Sequence, residues 1–129
     1  MVLENHIKYY KSNSTLTCSD SDTIIQTKSL ASSTSMTLIY TYTANKSGLH
    51  IVNGTMDFAY ASGGIRAYDI SITGKTKNIY AQLPPVSTYS TGIPISFVVF
   101  LKPNDKISFY ARQNSGQNLN VELSVGIFY

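Results

Sequence analysis

The chain has 129 residues, enough for one domain that buries its own core, and its single cysteine provides no intrachain disulfide framework. Ten Lys and Arg against seven Asp and Glu leave a net charge of +3. The cations are scattered rather than gathered in a stripe, which argues against nucleic-acid binding.

No apolar run has the length of a membrane span, so membrane insertion is not expected. Met1-Val2-Leu3-Glu4-Asn5-His6 lacks the basic and apolar regions of a signal peptide, and Sec-type export is not expected either. Ten Tyr without Trp, few charges and many hydroxyl side chains describe a neutral, hydroxyl-rich surface of the kind that suits sugars.

Residues 1–22 read as an N-terminal arm or linker. Ile7, Tyr9 and Tyr10 have strand character, but the polar stretch 12–22 has no period, and Cys18 within it has no base nearby in sequence. Residues 23–129 form the expected domain, with Ile24 and Ile25 opening its first strand.

Met36, Leu38, Tyr40 and Tyr42 then alternate with Thr37, Ile39, Thr41 and Thr43, a β-branched and aromatic mix that fits a pleated strand. Asn45-Lys46-Ser47-Gly48 is a turn. Asn53-Gly54 ordinarily signals a hairpin, yet His50, Val52, Met56, Phe58 and Tyr60 keep one parity straight through it. One long strand is therefore expected, with Gly54 marking a bulge or a close backbone approach.

After Ala61-Ser62-Gly63-Gly64, the period of two returns in Arg66, Tyr68, Ile70 and Ile72. Thr73-Gly74-Lys75 connects to a strand expected over 76–83, and the prolines of Pro84-Pro85 exclude 84–92 from a central strand. Val98-Val99-Phe100-Leu101 leads into the turn Lys102-Pro103-Asn104-Asp105, then Ile107-Ser108-Phe109-Tyr110-Ala111, then the turn at 114–118. Leu119, Val121, Leu123, Val125, Ile127 and Tyr129 close the pattern in strict alternation.

Many short strands without a helical period predict an all-β antiparallel sandwich. Antiparallel strands place successive loops at alternate ends. One end gathers 45–47, 74–75 and 103–105 with the C-terminus; the other gathers 61–64, 84–92 and 113–118.

The residues offer little for catalysis. The carboxylates are dispersed, and Asp57 and Asp69 read as solvent-facing strand residues rather than as a glycosidase pair. His6 and His50 have no partners at zinc spacing, so no metal and no cofactor are expected. Binding is better served. Tyr60, Tyr89, Arg112, Gln113, Asn114, Gln117 and Asn118 lie in or beside the loops of one end, where flat rings stack on sugars and amides hydrogen-bond to them.

Ser47-Gly48-Leu49-His50-Ile51-Val52, the Gly-Gly turn before Ile65-Arg66-Ala67-Tyr68-Asp69-Ile70, Pro103-Asn104-Asp105-Lys106-Ile107 and Gln113-Asn114-Ser115-Gly116 follow in order. Over residues 36–129 this order resembles the trimeric jelly-roll heads of the tumour necrosis factor and complement globular-head type, as found in bacteriophage receptor-binding and tail-fibre tip proteins.

The resemblance implies a jelly-roll homotrimer on a virion that recognises host cell-wall or surface polysaccharide at its tip loops and meets other virion or baseplate proteins through the N-terminal arm. Phe97, Val98, Phe100, Tyr110 and Phe128 agree with a second buried face, since they supply more apolar groups than one sandwich interior needs. The expected function is a noncatalytic carbohydrate-binding adhesin. The alternatives are a structural trimeric surface protein, such as a baseplate, capsid-decoration or spore-surface component, and a trimeric glycan-cleaving enzyme.

Overall fold

A computed structural model describes residues 18–85 and 89–129. Eight strands follow from the period-two pattern: β1 (Ser21–Leu30), β2 (Thr37–Thr43), β3 (Gly48–Phe58), β4 (Arg66–Ile72), β5 (Ile79–Leu83), β6 (Thr91–Leu101), β7 (Lys106–Gln113) and β8 (Leu119–Phe128). They form two four-stranded antiparallel sheets, ordered β1-β8-β3-β6 and β2-β7-β4-β5. This is an all-β jelly-roll sandwich.

Alternation decides which side chains meet between the sheets. Val52, Met56 and Phe58 of β3, Ile93, Ile95 and Leu101 of β6, and Val121, Leu123 and Ile127 of β8 face Ile70 of β4 and Ile107 and Phe109 of β7. Each such side chain contributes about 1.5 to 3 kcal/mol by leaving water.

β3 runs unbroken through Gly54, as its parity requires. Pairing with β6 and β8 continues across that position without a register shift, so the glycine marks a close approach and not a bulge. A Cβ there would lie 2.0 Å from the Ser124 carbonyl oxygen and 2.6 Å from Val125 Cα.

The register shift in this fold sits in β2, between Leu38 and Tyr40. It turns both Ile39 and Tyr42 inward and leaves Leu38 exposed, which breaks the alternation read from the sequence. Two strand starts also differ. β1 begins at Ser21 because Asp20 and Tyr129 exchange both backbone hydrogen bonds, at 2.8 and 3.0 Å. β5 begins only at Ile79, after the turn at Gly74 and an irregular stretch.

The loops divide between the two ends as alternation of strand direction demands. At one end the Asn104 N–H donates to the Ala44 carbonyl at 2.8 Å, and the Thr73 N–H donates to the Lys106 carbonyl at 3.0 Å. Pro103 fixes the first corner of the β6–β7 turn and Asn104 takes the second at φ 74°, with the Asp105 N–H closing it onto the Lys102 carbonyl at 3.0 Å. The C-terminal residue lies at this end, where Tyr129 meets Asp20 and Lys46. The expected arm falls largely on residues 1–17, outside the described residues.

Candidate functional site

The loops of the opposite end are held from within. Arg66, at the start of β4, is fully buried, and its guanidinium donates to the carbonyls of Ala61 at 2.7 Å, Gly63 at 2.8 Å and Ile65 at 3.3 Å. Burial holds its pKa below the usual arginine range. Its Nε has no partner among the described residues.

Gln113 ends β7 and is also fully buried. Its Nε2 donates to the carbonyls of Leu30 at 3.0 Å and Gln117 at 2.8 Å, while its Oε1 accepts from the Ser115 N–H at 2.9 Å and hydroxyl at 2.6 Å. Asn114 Oδ1 accepts the Ile65 N–H at 2.6 Å, which ties the β7–β8 turn to the loop before β4. Gly64, at φ 74°, lies so close that a Cβ would sit 2.4 Å from the Asn114 carbonyl oxygen.

These bonds sort the seven residues nominated from the sequence. Gln113 has no surface to offer a ligand, because its amide organises the turn. Asn114 is exposed, but its carbonyl is committed to Ile65; Gln117 and Asn118 are exposed at the tip.

Arg112 points outward from the other sheet, where its guanidinium donates to the Tyr80 hydroxyl at 3.1 Å, and that hydroxyl donates to Gln82 at 2.5 Å. Tyr60 and Tyr89 are the exposed rings of this end, at 48% and 73% of their surface.

At this end lies a cleft of about 360 Å³ lined by Thr27, Asp57, Ala59, Ser90, Asn120 and Glu122. Tyr60 follows Ala59 in the chain and Tyr89 precedes Ser90. Asp57 is on β3 directly opposite Glu122 on β8, so two carboxylates share the cleft, a juxtaposition that costs stability unless a partner offsets it. The Thr27 hydroxyl donates to Glu122 at 3.3 Å.

The sequence does not show this pair because it depends on strand register; the only carboxylate partner weighed there for Asp57, and set aside, is Asp69. Asp69 belongs instead to β4 in the other sheet, bonded to Asn78 at 3.1 Å. Hydroxyls, an amide and two carboxylates accept and donate hydrogen bonds at several angles, the chemistry a polyhydroxylated ligand meets well. Among the described residues no group of three or more His, Cys, Asp or Glu is placed to hold a metal ion.

The same sheet face changes character along its length. Toward the C-terminal end, Phe128 lies opposite Ile51, Ile51 opposite Val98, and Leu49 opposite Phe100. Leu49, Val98, Phe100 and Phe128 are all exposed, and the Phe128 ring folds over Gly126, 3.0 Å from where a Cβ would be. Phe97 turns partly into the core, and Tyr110 faces outward from the other sheet, so these two do not join the patch.

Behind the patch the Tyr42 and Tyr129 hydroxyls both donate to Asp22 Oδ2 at 2.9 Å. The buried His50 ring stacks on Tyr129 at 4.8 Å. Burial, followed by the Asp22 contact, raises the Tyr42 pKa well above its ordinary value of 10.0. Lys46 pairs with Asp20 beside them.

No protein-family model matches the chain, and no curated protein matches it. The fold is similar to a solved structure of the Gx strain of infectious bursal disease virus, with TM-score 0.61 and 10% identity over 86% of this chain and 33% of that one. It is similar to the Gt strain with TM-score 0.54 and 9% identity over 86% and 32%. It is also similar to Eiger TNF from S. frugiperda, with TM-score 0.46 and 10% identity over 70% of this chain and 62% of that one. The chain spans about a third of the length of the viral chains it matches. At such identity the viral likenesses establish a shared jelly-roll architecture, in agreement with the strand order above.

Proposed function

We propose that the chain is a noncatalytic adhesin module, the receptor-binding head of a phage or phage-like particle. Its copies associate as a homotrimer through the apolar end of the β1-β8-β3-β6 face, and its polar end meets host cell-surface glycan. The observation behind this reading is the division of one sheet face by register: Leu49, Val98, Phe100 and Phe128 at one end, Thr27, Asp57, Asn120 and Glu122 at the other.

Exposed apolar side chains in one cluster favour a protein partner, and association of identical copies hides them from water. Asp20 is paired with Tyr129 at the apolar end, opposite the polar end of the face. Three shallow sites on one particle gain by effective concentration, so each needs no deep pocket. Tyr60 and Tyr89 supply exposed stacking faces at the end that also carries the cleft and the exposed Gln117 and Asn118.

A second reading, a structural trimeric surface protein without glycan affinity, is favoured by the inward commitment of Gln113 and Asn114. Binding to host envelope polysaccharide separates the two. The double variant Tyr60→Ala, Tyr89→Ala keeps the fold and loses about tenfold or more in affinity, corresponding to about 1.4 kcal/mol of stacking. A well-folded wild type with no affinity for any host envelope favours the structural reading, and new reducing ends after incubation favour a glycan-cleaving enzyme.

A further inference from the structure

A sandwich of two open sheets has four edges, and three of them are blunted in ways that prevent pairing with another chain. β1 carries Asp22 and Lys28, β2 is kinked by its register shift, and β5 has only five residues. β6 differs. It is an edge strand of eleven residues, Thr-Gly-Ile-Pro-Ile-Ser-Phe-Val-Val-Phe-Leu, with no charge and with Val98 and Phe100 more than half exposed.

Among the described residues its one guard within the strand is Pro94. Proline is tolerated in a paired strand where its nitrogen faces away from the partner, here away from β3, and the Pro94 carbonyl accepts the Tyr68 hydroxyl at 2.9 Å. By the period of two, the N–H and C=O groups of Ser96, Val98 and Phe100 face the same open side. The next position in that series, Lys102, is closed, since its N–H donates to Asp105 Oδ2 at 2.9 Å. The open edge therefore has limits on both sides, Pro94 and Lys102, and Val98 is its midpoint.

We propose that β6 pairs with β6 of a second copy, antiparallel about a twofold axis through Val98. Val98 then opposes Val98, and Ser96 opposes Phe100 twice, each pair exchanging both N–H···O bonds. Pro94 falls opposite Lys102, two positions without a free N–H, so the ladder stops where both chains stop. The strand itself carries no charge and the isologous contact closes on itself; Lys75 and Lys77 line the cleft beside Phe97, Val98 and Val99, so salt is expected to strengthen the pairing by screening them. The Ser96 hydroxyl already donates to Asn53 at 2.8 Å and leaves Phe100 an uncharged neighbour. The contact uses the strand edge, whereas the homotrimer uses the sheet face, and each stands without the other.

The test is sedimentation of the 129-residue chain as wild type, as Ser96→Pro and as Leu49→Lys. Proline at 96 removes an outward N–H at a position outside the apolar patch and leaves the ladder with β3 intact, so the expected result is an unchanged far-UV spectrum and half the wild-type mass. Leu49→Lys, on the face, is expected to leave a species of two chains. Amide exchange supplies a readout that needs no variant: the Ser96, Val98 and Phe100 amides become protected as concentration rises. A folded Ser96→Pro with the wild-type mass, or unprotected amides at these three positions in the associated wild type, overturns the proposal.

Discussion

Gly54 shows how a single absent atom sets the packing of a sheet. β3 and β8 approach so closely there that a methyl group overlaps backbone, and backbone has nowhere to go without separating paired strands. Gly54→Ala is therefore expected to cost about 3 kcal/mol or more, read as a lowered denaturant midpoint. Asn53-Gly54 looks like a hairpin signal in isolation, and only the unbroken parity of its flanks argues otherwise.

Tyr42 makes the same point for electrostatics. Its raised pKa means that the folded state favours the protonated phenol. The resulting stability is fully present below the unfolded value of 10.0 and is lost as pH climbs toward the higher folded value. Alkaline titration of the unfolding midpoint is expected to fall steeply above about pH 10, with Tyr42→Phe shallower there. At neutral pH that variant is expected to be less stable by about 1 to 2 kcal/mol for the lost bond to Asp22.

At the scale of elements, Gln113 joins the end of β1, the end of β7 and the turn before β8 through one amide. Gln113→Ala removes the side-chain donor to the Leu30 carbonyl and the acceptor of the Ser115 N–H, and a loss of about 2 to 3 kcal/mol is expected in chemical denaturation, with faster amide exchange at Ser115. Such a residue reads as a polar loop side chain in sequence, because nothing local records that three segments converge on it.

Strands with strict alternation, β3, β4 and β8, were legible because both sheet faces impose a period of two. β2 was legible as a strand but not in its facing, since a register shift leaves no mark in a run of Thr, Ile and Tyr. The end at which each loop lies was legible from chain direction alone. The cleft was not, because Asp57 and Glu122 are far apart in sequence and meet only through the β3–β8 register.

For the whole molecule, the sandwich is a one-faced object. Its β1-β8-β3-β6 sheet is apolar where the chain enters and leaves, and polar where Tyr60 and Tyr89 stand. The association proposed for the first end and the glycan contact proposed for the second rest on that asymmetry. A charge placed in the patch tests the first half directly.

Equilibrium sedimentation of the wild type beside Leu49→Lys and Phe100→Lys decides the matter. A mass that is a multiple of three 14.2 kDa chains, falling to fewer chains in both variants with the fold retained, is the expected result. A wild type that stays at 14.2 kDa at every concentration contradicts it.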